Sequence, residues 1–131
     1  LEMRGNISGS FASRISSGLF LGIVKTDTTN TRIVKGNLAA SFILAVGVSL
    51  LLGVIAFCCN YFVFGSFTPR IIALPVIAGI IANAVEIPLT LAVTFYAFKK
   101  GHDPNNIIGP FVTSTGDITS IIALLIALAI I

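Results

Sequence analysis

The sequence predicts an all-α fold, an integral membrane helical bundle with three full spans plus an N-terminal partial span or small-residue-rich helix. Two observations carry that expectation. First, 56% of the 131 residues are hydrophobic and only 10% are charged, and the mean hydropathy of +1.04 lies far outside the soluble range. Second, the apolar residues come in helix-length runs rather than in alternating segments of about ten residues, which favours helices over an outer-membrane barrel. A hydrocarbon core of about 30 Å takes roughly 20 helical residues per crossing, so the length gives room for three or four crossings and short loops. Residues 1–131 read as a single transmembrane domain.

The first segment, "RGNISGSFASRISSGLFLGIVK" from Arg4, has too many small and polar residues for a helix that faces lipid, so it must pack against protein. Gly5, Gly9, Ser13 and Ser17 recur every four residues, and Gly18 and Gly22 repeat the spacing. One side of the helix is therefore nearly bare, and other backbones can approach it closely. This predicts close helix contacts at Ser13, Ser17 and Gly22. Asn6 leaves open a second role for the segment, the lining of a polar path. Arg14 can extend its long stem to the cytoplasmic interface if the membrane core lies mostly upstream, which would start the chain partway through a span.

Apolar runs over residues 37–64, 71–98 and 106–131 are each long enough to span. Between them lie "KTDTTNTRIVKG" from Lys25, "GSFTPR" from Gly65 and "KKGHDP" from Lys99, rich in turn-forming or charged residues. The first loop sets Lys25, Arg32 and Lys35 against Asp27; the third sets Lys99 and Lys100 against Asp103; the middle one has Arg70 alone. Basic loops favour the cytoplasm, so loops one and three are expected inside, with residues 66–70 and the C-terminus outside a cell membrane.

Several function classes drop out. One histidine, two adjacent cysteines and no glycine-rich phosphate loop provide no zinc site, no nucleophile with its base and no nucleotide site, so no enzyme and no organic cofactor is expected. Cys58 and Cys59 read as packing material and His102 as a solvated loop residue. The net charge of +3 sits mostly in loops and orients the chain in the bilayer; no nucleic-acid partner is expected.

Two carboxylates fall inside spans. Asp103 is a good N-cap and Pro104 a good first helical residue, which places Asp117 roughly 20 Å along the last helix, near mid-membrane. The competing reading, Asp117 as an N-cap, leaves only the 14 residues 118–131 for a crossing and is too short. An intramembrane carboxylate costs about 2.5–3.5 kcal/mol on the insertion scale, so it must face water, a cation or another polar group. Gly109, Thr113 and Asp117 share a face, and Pro110 frees a backbone carbonyl near Asn106, so that face offers oxygen to a hard cation. Glu86 shares a second face with Asn83, Thr90 and Thr94. It either joins Asp117 in attracting a divalent ion, for which oxygen ligands favour magnesium, calcium or manganese, or it neutralises Arg14 or is protonated within the bundle.

"GHDPNNIIGPFVTSTGDITS" from Gly101 resembles the start of the last transmembrane helix of MgtE-type magnesium transporters, with its Asp-Pro loop, Gly-Pro step, hydroxyl pairs and following Asp. "RGNISGSFASRISSG" is similar to the Gly-Asn segment of that family's second helix, above all in its short archaeal, solute-carrier-like branch. The resemblance implies a homodimer of five-helix subunits, of which this chain is a fragment without a cytoplasmic sensor domain. It implies a cation pathway at the dimer interface and Mg2+ as the transported ion. It maps Asp117 onto the pore carboxylate and Gly109 and Thr113 onto positions that supply oxygen near the ion; where some members have Asn, Gly109 has only its carbonyl.

The metal-site candidates are thus Asp117, Thr113, Gly109, Glu86 and Asn6. The favoured expectation is magnesium transport across the membrane. The alternative is a non-transporting membrane subunit whose small-residue stripes bind partner helices.

Overall fold

The computed structural model describes residues 2–27 and 31–131; part of the predicted first loop, residues 28–30, lies outside them. The chain folds into four helices, α1 (Glu2–Phe20), α2 (Arg32–Phe64), α3 (Arg70–Lys99) and α4 (Pro104–Ile130), with no strand among the described residues. As the hydropathy predicts, α2, α3 and α4 are long and apolar enough to cross a membrane.

Local chemistry sets the boundaries. The Thr31 hydroxyl accepts from Val34 N at 3.4 Å, so α2 begins ahead of the expected residue 37. It ends at Gly65, whose φ of 64° suits a left-handed cap and whose N–H donates to Tyr61 O at 2.9 Å. Asp103 accepts from Asn105 N at 2.9 Å and Pro104 opens α4, the start predicted from sequence. Asp117 therefore lies well inside α4, and its reading as an N-cap is overturned.

Helix α3 packs on the other three, α1 likewise touches all the others, and α2 and α4 stand apart among the described residues. The α2–α3 crossing is tight at Gly53, where a Cβ would stand 2.8 Å from Ile72 O and 3.1 Å from Pro75 Cγ. The core joins Phe11, Ile15 and Leu19 of α1 to Val34 of α2 and to Ile87, Leu91 and Phe95 of α3. This bulky apolar stripe, not the small-residue stripe, is the face that α1 packs against α2 and α3, through van der Waals contact of large side chains. Within the chain, Ser13, Ser17 and Gly22 make no close helix contact among the described residues: both serines are exposed, and Gly22 sits in the turn after α1 at φ 70° with open space beside it. Cys58 and Cys59 are free and exposed on α2 rather than packed in the core.

The loops after α1 and α3 lie at one end of the bundle. Lys99 Nζ is 3.5 Å from Asp27 Oδ1, and the Phe20 and Phe98 rings meet edge to face at 5.4 Å. A single span puts the α2–α3 loop at the other end, the alternation that loop charge predicts. Apolar side chains such as Leu51, Ile55, Phe62, Ile121 and Leu125 cover the outside of α2 and α4.

Candidate cation groove and its buried counterpart

Helices α1 and α4 leave between them an open groove of about 350 Å³. Gly5, Asn6, Gly9 and Ser10 line it from α1, and Gly109, Val112, Thr113, Gly116 and Asp117 from α4. Four of the five residues singled out from sequence, Asn6, Gly109, Thr113 and Asp117, thus come together on one surface. The glycines keep it open: a Cβ on Gly5, Gly9 or Gly109 would meet nothing within 4 Å.

The groove is lined with oxygen. Thr113 Oγ1 donates to Gly109 O at 2.9 Å, so its own lone pairs remain to accept. The pattern recurs along α4, where Ser114 donates to Pro110 O at 2.9 Å and Thr115 to Phe111 O at 2.7 Å. Gly116 O differs, because it receives both Arg4 Nη2 at 2.7 Å and Ser120 Oγ, while the Thr119 hydroxyl, which donates to Thr115 O at 2.9 Å, also lies 3.1 Å from it. Two side-chain donors occupy that carbonyl's lone pairs. The Asp117 carboxylate is exposed in the groove and joins no ion pair among the described residues.

Glu86 is not in the groove. It projects from α3 against the back of Gly116, where an added Cβ would come within 2.9 Å of Glu86 Oε1. Its counter-ion is Arg4, with Nε 3.2 Å from Glu86 Oε2. Arg14, the partner considered from sequence, lies roughly 15 Å further along α1 and donates instead to Ser41 Oγ at 3.1 Å. Asn83, Glu86, Thr90 and Thr94 do share one buried face, as predicted. Asn83 Nδ2 donates to Gly79 O at 2.7 Å and Thr94 Oγ1 to Thr90 O at 2.7 Å. The ion pair itself is poorly satisfied: both Glu86 oxygens, Arg4 Nε, Ser8 Oγ and Asn83 Oδ1 are buried without an aligned hydrogen-bond partner. Arg4 and Asn83 border a second cavity of about 210 Å³ among the four helices, large enough to admit water to them.

Depth ties these groups together. At 1.5 Å per residue, Asp117 is about 20 Å along α4 from Pro104. Glu86 is about 20 Å back from Lys99, and Arg4 about 24 Å back from Phe20. One level of the bundle, near its middle, therefore carries all three charges. Sequence reasoning missed Arg4 and Gly116. Arg4 was legible as the continuation of the buried stripe Ser8, Phe11, Ile15 at helical spacing; Gly116 stands two turns after Gly109.

No three histidine, cysteine or acidic side chains gather among the described residues. Among the residues that line the groove, Asp117 alone carries a carboxylate, beside hydroxyl and carbonyl oxygens. Residues 1–127 match the family model for MgtE, the divalent cation transporter. The chain belongs to the MgtE family. Neither curated proteins nor solved structures give a match. Membership makes this MgtE-family chain part of a transporter family rather than an enzyme family, with a divalent cation as cargo. Its three spanning helices make it an integral membrane protein.

Proposed function

We propose that the chain forms part of a magnesium pathway across the cell membrane, with the α1–α4 groove as its wall and a second copy of the chain as the opposite wall. The observation that carries this reading is Asp117, an exposed carboxylate without an ion pair among the described residues, at mid-bundle depth on a surface whose neighbours Ile118 and Ile121 are apolar. Such a group does not face lipid; it faces water, a cation or a partner. Symmetric pairing through the bare stripe of Gly5, Gly9, Ser13 and Ser17 lets two copies approach closely and places two Asp117 carboxylates around one path. Magnesium gives up its waters reluctantly, so the pair would hold it hydrated, with Thr113, Gly109 and Asn6 as outer acceptors. Glu86, a ligand candidate from sequence, is left out of that set. Orientation follows the loop charges: the loops after α1 and α3 in the cytoplasm, the C-terminus outside, and the chain one part of a five-helix subunit.

Magnesium flux into proteoliposomes containing the complete protein tests the reading. Asp117→Asn keeps the volume and removes the charge, so flux falls by more than about tenfold while the protein folds and pairs as before. Wild-type flux in the variant would sink the proposal and leave the groove as a packing surface for partner helices.

A further inference from the structure

We infer that Arg4 and Glu86 form a charge-balanced pair behind the groove floor that sets the cation affinity of Asp117, with Glu86 serving as the counter-ion that keeps Arg4 away from Asp117. This rests on the reading of Asp117 as the cation's carboxylate.

The argument starts from a conflict. Arg4 reaches α4 and donates to Gly116 O at 2.7 Å, a contact that ties α1 to α4. That anchor brings a permanent positive charge to the residue next to Asp117. A guanidinium there has two carboxylates within its range, one on each side of Gly116, and pairing with Asp117 would consume the charge a divalent cation needs. The structure resolves the competition in favour of Glu86. Arg4 Nε lies 3.2 Å from Glu86 Oε2, whereas Asp117 joins no ion pair among the described residues.

The geometry of Gly116 makes this possible. With no side chain, it lets the Glu86 carboxylate press against the back of α4, so that positive and negative charge sit together on one side of the helix and largely cancel on the other. Glu86 is 0% exposed, so it can serve no cation in the groove directly. Its influence is electrostatic, and so it has a sign. A structural role predicts damage from any change to the pair; a balancing role predicts that removing one charge harms binding and removing both restores it.

The test is magnesium affinity, read from the concentration dependence of flux through the complete protein in proteoliposomes. Glu86→Gln frees Arg4 toward Asp117 and weakens apparent affinity by about tenfold or more. The double variant Arg4→Gln, Glu86→Gln returns it to within about threefold of wild type. Unchanged affinity in Glu86→Gln, or a double variant as weak as that single one, overturns the inference. If Glu86→Gln does not fold, the double variant decides alone: affinity within about threefold of wild type supports a balanced pair and a larger shift overturns it. Asp117→Asn in the same assay reports on the groove itself, so a failure of the Asp117 reading is seen separately from a failure of the pair.

Discussion

Glu86 and Asp117 are two carboxylates at one depth of the same bundle, separated by little more than the Gly116 backbone, and they live under opposite rules. Glu86 is sealed among α1, α3 and α4 with a guanidinium beside it. Asp117 stands in an open groove of glycine, hydroxyl and carbonyl and joins no ion pair among the described residues. The contrast teaches that a charge inside a membrane protein is available for function only when the fold declines to neutralise it. The buried carboxylate is committed to structure, and the exposed one stays open to whatever enters the groove.

The largest break in that comparison comes from deleting each carboxylate in turn. Glu86→Ala leaves the part-buried Arg4 without its buried partner and opens a cavity against Gly116, and should cost about 1–3 kcal/mol, seen as a clear drop in melting temperature in detergent. Asp117→Asn should leave stability within about 0.5 kcal/mol, since nothing in the fold depends on its charge. Equal losses in the two variants would erase the distinction.

The glycines of α4 sharpen it at the next level. A methyl group on Gly116 meets Glu86 Oε1 at 2.9 Å, so Gly116→Ala should destabilise by about 1–3 kcal/mol through overpacking. Gly109→Ala enters open space, and the better helix former should hold stability level or raise it by up to about 1 kcal/mol. Thermal unfolding of the two variants side by side checks the pair; a Gly116→Ala protein as stable as Gly109→Ala would mean that the back of α4 is looser than this packing implies.

The smallest effect belongs to the hydroxyl. Thr113→Val keeps the shape of the side chain and removes one acceptor, so magnesium affinity should weaken about two- to fivefold, the worth of one modest hydrogen bond. Thr113→Ser should restore it. A flux titration across the three proteins distinguishes a hydroxyl that faces the ion from one used only to cap Gly109 O.

The sequence by itself determined the solvent, the helix count and most helix ends. Hydropathy and run length specify spans because lipid gives an unpaired backbone no partner, and Asp103–Pro104 specifies a helix start by local hydrogen bonding alone. It also determined that Asn6, Gly109, Thr113 and Asp117 are chemically suited to one site, the last three because four-residue spacing places them on one face whatever surrounds the helix. What only the tertiary structure decided is which charges meet. Arg4 and Glu86 are far apart in the chain, and nothing local to either says that α1 crosses behind Gly116 rather than lying level with Arg14. The same holds for the face that α1 buries: glycine spacing marks where a helix can be approached, but the packing of Phe11, Ile15 and Leu19 against α2 and α3 decides where it is within the chain, and that is settled only when the helices meet.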